Sequence, residues 1–241
     1  MPRHALQNSL LWFEYSFRRS ASQVFLFVAT AMAFKRRIAA HLDTALIPAT
    51  RGLQSIPSIA QPPEKKMALI VHKYGGTSMG TTERIRNVAK RVIKWVKAGH
   101  QVVVVPSAMS GETNRLLGLA AGLEPKERGD NTRRELDALA ATGEQASSAL
   151  LAIALQSEGQ DAVSFTGWQV PVRTDSSHMK ARIESIEGQR IRKELDAGRV
   201  VIVTGFQGID SQGNITTLGR GGSDTSAVAI AAAIKADECL I

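Results

Sequence analysis

From Met67 onward the chain alternates short β-branched runs with amphipathic stretches, and most of the runs stop at a loop rich in glycine and hydroxyl residues. Ala68-Leu69-Ile70-Val71-His72-Lys73 reads as a buried strand that breaks at Tyr74-Gly75-Gly76-Thr77-Ser78. Gln101 to Val105 is a second, apolar enough to be covered on both faces, and it stops at Pro106-Ser107-Ala108-Met109-Ser110-Gly111. Ala162 to Phe165 is a third short strand, a further short run covers Val170 to Val172, and Arg199 to Phe206 is a strong strand. A last strand begins at Glu238. Between the first two, Ile85, Val88, Ala89, Val92, Ile93 and Val96 recur at helical spacing from Thr82 to Ala98, before Gly99. Helices are also predicted over Asn114 to Ala121, Arg134 to Glu158 with an interruption at Thr142-Gly143-Glu144-Gln145, Ile191 to Ala197, and Ala227 to Lys235. Gln207 to Asn214 reads as a hairpin loop. Strands alternating with helices call for an α/β fold, a mostly parallel sheet with helices on both faces. Ligands of such sheets sit beyond the carboxyl ends of the strands, where these loops lie.

Charge separates the chain into two parts. The net +8 looks like a nucleic-acid signal until it is divided. Residues 1–66 carry nine Lys/Arg against three Asp/Glu, whereas residues 67–241 carry 21 against 19. The second part is nearly neutral and poor in aromatics, which disfavours nucleic-acid binding. In the first part, the apolar run Val24 to Phe34 is about half the roughly 20 residues needed to span a bilayer. Lys35-Arg36-Arg37 stands where a signal peptide would have its small-residue cleavage site. Ile47 to Pro63 reads as a linker. Residues 1–66 are therefore expected to be a disordered or mis-assigned extension, with a membrane-surface anchor as the functional alternative, and residues 67–241 the folded domain. No membrane partner is expected. The single Cys239 excludes an internal disulfide and suits a reducing, cytoplasmic compartment.

The richest loop is Thr217-Leu218-Gly219-Arg220-Gly221-Gly222-Ser223-Asp224-Thr225-Ser226. Three glycines leave backbone N–H groups uncovered, and a helix starting at Ser223 or Asp224 aims its positive end at the same point. Arg220, Ser223 and Asp224 crowd the turn, so a zwitterion or a phosphate with its metal fits; a plain helix cap is the structural alternative. Lys73 ends a buried strand just before Gly75 and Gly76. There it either offsets phosphate charge or reaches to solvent. Ser107 and Thr113 offer hydroxyls to a ligand, with a helix cap at Thr113 or Ser110 as the structural alternative. Glu144 either binds an amine or is a first-turn glutamate favoured by the helix dipole. His72, His100 and His178 are isolated, and no group has metal-ligand spacing.

Taken in order, Lys73 to Ser78, Val104 to Met109, Thr142-Gly143-Glu144, Ser164 to Gly167, Gly205 to Gly208 and Thr217 to Ala227 resemble the successive motifs of the aspartokinases, members of the amino-acid kinase family. The resemblance covers Met67 to Ile241. It implies a three-layer sandwich and transfer of the ATP γ-phosphoryl group to the side-chain carboxylate of L-aspartate. The product, 4-phospho-L-aspartate, opens lysine, threonine and methionine biosynthesis and, in bacteria, leads to diaminopimelate. Carried onto this chain, Lys73 and Asp224 are catalytic. Thr113, Glu144, Arg220 and Ser223 hold aspartate, while Tyr74, Gly75, Gly76, Ser107, Gly221 and Gly222 line the nucleotide phosphates. ATP brings Mg²⁺ as co-substrate, with no tightly bound cofactor and no protein metal site. The whole enzyme is expected to be a homo-oligomer. In the family, the strand begun at Glu238 leads into a Thr-Asp-Val-Asp-Gly-Val-type nucleotide segment and then ACT domains. This chain is therefore expected to be C-terminally truncated, to bind ATP poorly, to turn over weakly or not at all, and to show no feedback inhibition. Glutamate or acetylglutamate kinases of the same fold, and a non-catalytic aspartate-binding module, are the alternatives.

Overall fold

The computed structural model describes residues 67–241 apart from Glu124 and Arg128, and the extension expected over residues 1–66 lies outside the described residues. In chain order the elements begin with β1 (Leu69–Tyr74), α1 (Thr82–Lys97), β2 (Gln101–Pro106), α2 (Glu112–Ala121) and α3 (Asp130–Ser157). There follow β3 (Ala162–Phe165), β4 (Val172–Thr174), β5 (Ile183–Ile186), α4 (Gln189–Asp196) and β6 (Val200–Val203). The last are β7 (Gln207–Ile209), β8 (Ile215–Thr217), α5 (Gly222–Ala233) and β9 (Glu238–Leu240).

The main sheet runs β3-β6-β2-β1-β9 with every neighbouring pair parallel, as the alternation of strands and helices predicts. Successive side chains leave a strand on opposite faces, and here both faces are apolar. Val102, Val104, Val200, Ile202 and Ala162 pack with Ile85, Val88 and Val92 of α1 and Leu151 and Leu155 of α3. Leu69, Val71, Val103, Val105, Val201 and Val203 pack on the other side with Ile191 and Leu195 of α4 and Ala227 and Ile230 of α5. The same alternation puts Lys73 on the α5 side and Tyr74 on the α1 side.

A second sheet of four short strands, β5-β4-β7-β8, was not expected. It mixes antiparallel β4–β5 and β7–β8 pairs with a parallel β4–β7 contact. The predicted strand Arg199 to Phe206 is in fact an approach to two sheets: the chain leaves the first at Thr204, and Phe206 turns it at φ 66° into β7. The bend is tight, since a Cβ on Gly205 would lie 3.0 Å from Ser223 Cα.

The interruption expected at Thr142-Gly143-Glu144-Gln145 does not occur, because α3 runs through it for 28 residues. A Cβ on Gly143 would lie 3.1 Å from Ala108 Cβ, so the glycine admits the loop after β2 against the helix. Its helix cost of about 1 kcal/mol is outweighed by the burial of that face. By length and apolarity α3 could cross a bilayer, but 56% of its most apolar window is buried, as in a core helix. The capping expectations also change. α2 and α5 begin after left-handed Gly111 and Gly221, with no side-chain cap, so Ser110, Thr113, Ser223 and Asp224 keep their polar atoms for other partners. α5 starts at Gly222, one residue before the start at Ser223 expected from the glycine turn and five before the apolar run from Ala227.

Candidate active site

Lys73 reaches the end of β1 on the side where α5 begins, and its Nζ lies 2.5 Å from Asp224 Oδ1. The lysine side chain is 15% exposed and the aspartate 47%. An ammonium held there by a carboxylate in the first helical turn is fixed in direction yet open to an incoming anion. Gly75 flanks it, and a Cβ at that position would make ordinary contact with Lys73 Nζ at 3.6 Å. Gly76 is closer still to its neighbour, with a Cβ there 3.0 Å from the carbonyl oxygen of Ala108. The two strand-end loops thus meet backbone to backbone.

Glu144 rises from the middle of α3 into the same space and is 4% exposed. It is neither a first-turn residue nor at a helix end. Ser223 Oγ donates to its Oε1 at 3.2 Å, while Oε2 is buried with no hydrogen-bond partner. Burial pushes its pKa up to about 7, opposed by hydrogen bonds from the Ala108 backbone and Ser223 and by the charge of Lys73. A buried carboxylate with one oxygen unused is a ready acceptor for an ammonium group. Ser147 Oγ donates to the carbonyl oxygen of Ser107 at 2.8 Å, tying α3 to the loop after β2.

These groups open on one cavity of about 750 Å³. Ten of the twelve residues singled out from the sequence line it: Lys73, Gly76, Ser107, Thr113, Glu144, Arg220, Gly221, Gly222, Ser223 and Asp224. Gly75 and Tyr74 do not. The side chain of Tyr74 lies on the opposite face of the sheet, 8% exposed, with its hydroxyl 3.1 Å from His72 Nδ1. His72, 3% exposed, is held neutral by that burial, its pKa lowered to about 4. Arg220 is exposed at the rim and forms no ion pair with the described residues, which leaves its guanidinium for a ligand carboxylate. Among the described residues no three His, Cys, Asp or Glu side chains group as a metal site. Sequence reasoning missed Phe206 and Met179, which also line the cavity. Both hold positive φ, 66° and 68°, a backbone state with no signature in residue type.

The cavity therefore offers a carboxylate for an ammonium group, a guanidinium for a carboxylate, and a lysine among glycines for a phosphate. Residues 68–241 match the amino acid kinase family profile. Over 175 residues the chain is 61% identical to an aspartate kinase of Pseudomonas fluorescens (strain SBW25), covering 73% of this chain and 42% of that protein. Among solved structures, aspartate kinase from Synechocystis is similar at 49% identity and TM-score 0.60, over 71% of this chain and 27% of that one. Escherichia coli aspartokinase III in complex with aspartate and ADP is similar at 27% identity and TM-score 0.62, over 71% and 48%. The chain spans about two-fifths of the length of the curated relatives it matches. A parallel sheet with two helical layers and a family profile over the whole of it place this chain in the amino acid kinase family.

Proposed function

We propose that the described domain is the aspartate-binding part of an aspartate kinase, which transfers the γ-phosphoryl group of ATP to the side-chain carboxylate of L-aspartate. The single observation that carries this is the convergence of Glu144, Ser223, Arg220 and the Lys73–Asp224 pair on one cavity. In this reading Arg220 pairs with a substrate carboxylate through its two-pronged fork, Glu144 takes the ammonium, and Thr113 and Ser223 fix the orientation. A side-chain carboxylate oxygen forms the new bond to the γ-phosphorus as the bond to the β–γ bridging oxygen breaks, releasing ADP. Lys73 offsets the charge on the group in transfer, and Asp224 holds Lys73 in place. Gly75, Gly76, Ser107, Gly221 and Gly222 supply small residues and N–H groups beside the phosphates. No general base is needed, since the nucleophile is already ionised at neutral pH. Magnesium belongs to the MgATP co-substrate. The product enters lysine, threonine and methionine synthesis, in a cytoplasmic setting that the lone, half-buried Cys239 suits.

Because Glu144, Arg220 and Ser223 are proposed to hold the amino acid itself, the test is binding. Calorimetry of the 241-residue chain should show L-aspartate taken up in preference to L-glutamate. Lys73→Ala should leave that affinity within a few fold while abolishing any phosphoryl transfer measured with MgATP. A preference for L-glutamate overturns the substrate, and full transfer by Lys73→Ala overturns the role of the lysine.

A further inference from the structure

We propose that Asp137 is a positioning residue for this cavity: its carboxylate draws the loop of His178 and Met179 and the end of β8 together into the wall that ends in Arg220. The inference rests on the aspartate reading only for what the wall is for. Asp137 is completely buried. A carboxylate in that position needs several donors to offset its desolvation. His178 Nδ1 lies 2.8 Å from Oδ2, the Met179 N–H donates to both oxygens at 3.0 and 3.1 Å, and Thr217 Oγ1 donates to Oδ1. The loop partners lie 41 and 42 residues away along the chain and the β8 partner 80, so the carboxylate joins α3 to two other segments.

Each of those segments continues into the cavity. Met179, Thr217, Gly219 and Arg220 all line it. Met179 is held at φ 68°, a state costing a non-glycine residue on the order of 1 kcal/mol, and its amide is turned directly onto Asp137. The next contact in the series is equally close. A Cβ on Gly219 would stand 3.2 Å from the Met179 carbonyl oxygen, and the Ala181 N–H donates to the Thr217 carbonyl at 2.9 Å. The path from Asp137 through Met179 and Gly219 to Arg220 has no slack. Asp137 also stands seven residues before Glu144, two turns along the same face of α3. One helix thus presents two buried carboxylates: Glu144 faces the ligand space, and Asp137 faces the wall beside it.

Hydrogen–deuterium exchange on the 241-residue chain, with calorimetry using L-aspartate, separates this role from general stability. Asp137→Asn keeps the shape but loses the charge that the donors share. It should speed exchange in residues 175–182 and 217–222 by tenfold or more, leave β1 and β2 unchanged, and weaken L-aspartate binding roughly tenfold. His178→Ala should shift both readouts the same way. His178→Asn, which keeps an N–H donor near the Nδ1 position, should restore them; this pair decides if Asp137→Asn does not fold. Unchanged exchange in the two segments, or an equal rise throughout the domain, overturns the proposal. If the wild-type chain takes up no L-aspartate while the local exchange pattern is as described, the proposed function fails and the wall-holding role stands.

Discussion

Glu144 carries a conflict within one side chain. It must be ionised to hold an ammonium group, yet burial pushes its pKa up to about 7 from 4.5. Between those two values the folded state keeps a proton that the unfolded chain has released, so this group makes stability fall as pH rises through that window. Glu144→Gln removes the conflict. It should raise Tm at pH 8 by about 5 °C while abolishing L-aspartate binding, read by differential scanning fluorimetry and calorimetry. An unchanged Tm at pH 8 would show that the carboxylate is not strained by its surroundings. Residues of this kind were legible from sequence, because Lys73, Glu144, Arg220 and Asp224 each stand within two residues of a glycine where the sequence reads as a turn or a helix interruption. Asp137 was not. It lies in an ordinary helical run, and nothing near it in sequence names the three partners that fold against it from 41 to 80 residues away.

The elements show where local pattern and tertiary packing part. The parallel sheet was legible because β2 and β6 are near-continuous β-branched runs and β1 opens on the apolar Leu69-Ile70-Val71, the mark of strands covered on both sides. The second sheet was not, since β4, β7 and β8 are three residues long, too short to display a period of two. Its integrity depends on close backbone approach instead. A Cβ on Gly208 would lie 2.5 Å from both the Val172 carbonyl oxygen and Thr174 Cγ2. Gly208→Ala must therefore part β4 from β7, at a cost of about 2 kcal/mol. In thermal unfolding that should lower Tm by roughly 4–8 °C. A variant as stable as the wild type would show that the two strands can separate freely. The helix expected to break at Gly143 is the converse case, in which a weak local preference yields to the loop packed upon it.

At the scale of the whole molecule, ligand and fold are linked through the cavity, whose lining comes from both sheets and from α2, α3 and α5. L-aspartate at ten times its Kd should stabilise the domain by about 1.4 kcal/mol, raising Tm by about 4 °C. At one fixed L-aspartate concentration the rise should be larger at pH 8 than at pH 6, where most of Glu144 is protonated and binding is weaker. Equal shifts at both pH values would remove Glu144 from the ammonium contact. The placement of Lys73 at the cavity hangs on the phase of one six-residue strand. Lys73 and Tyr74 are adjacent, yet one meets Asp224 and the other meets His72 across the sheet. Deleting a single residue from β1 would exchange them, sending an ammonium group into the apolar layer and a phenol to the ligand. What this strand must keep is therefore an odd–even count, so an insertion or deletion of one residue there should be as severe as loss of the lysine itself, whereas one of two residues leaves the faces unexchanged.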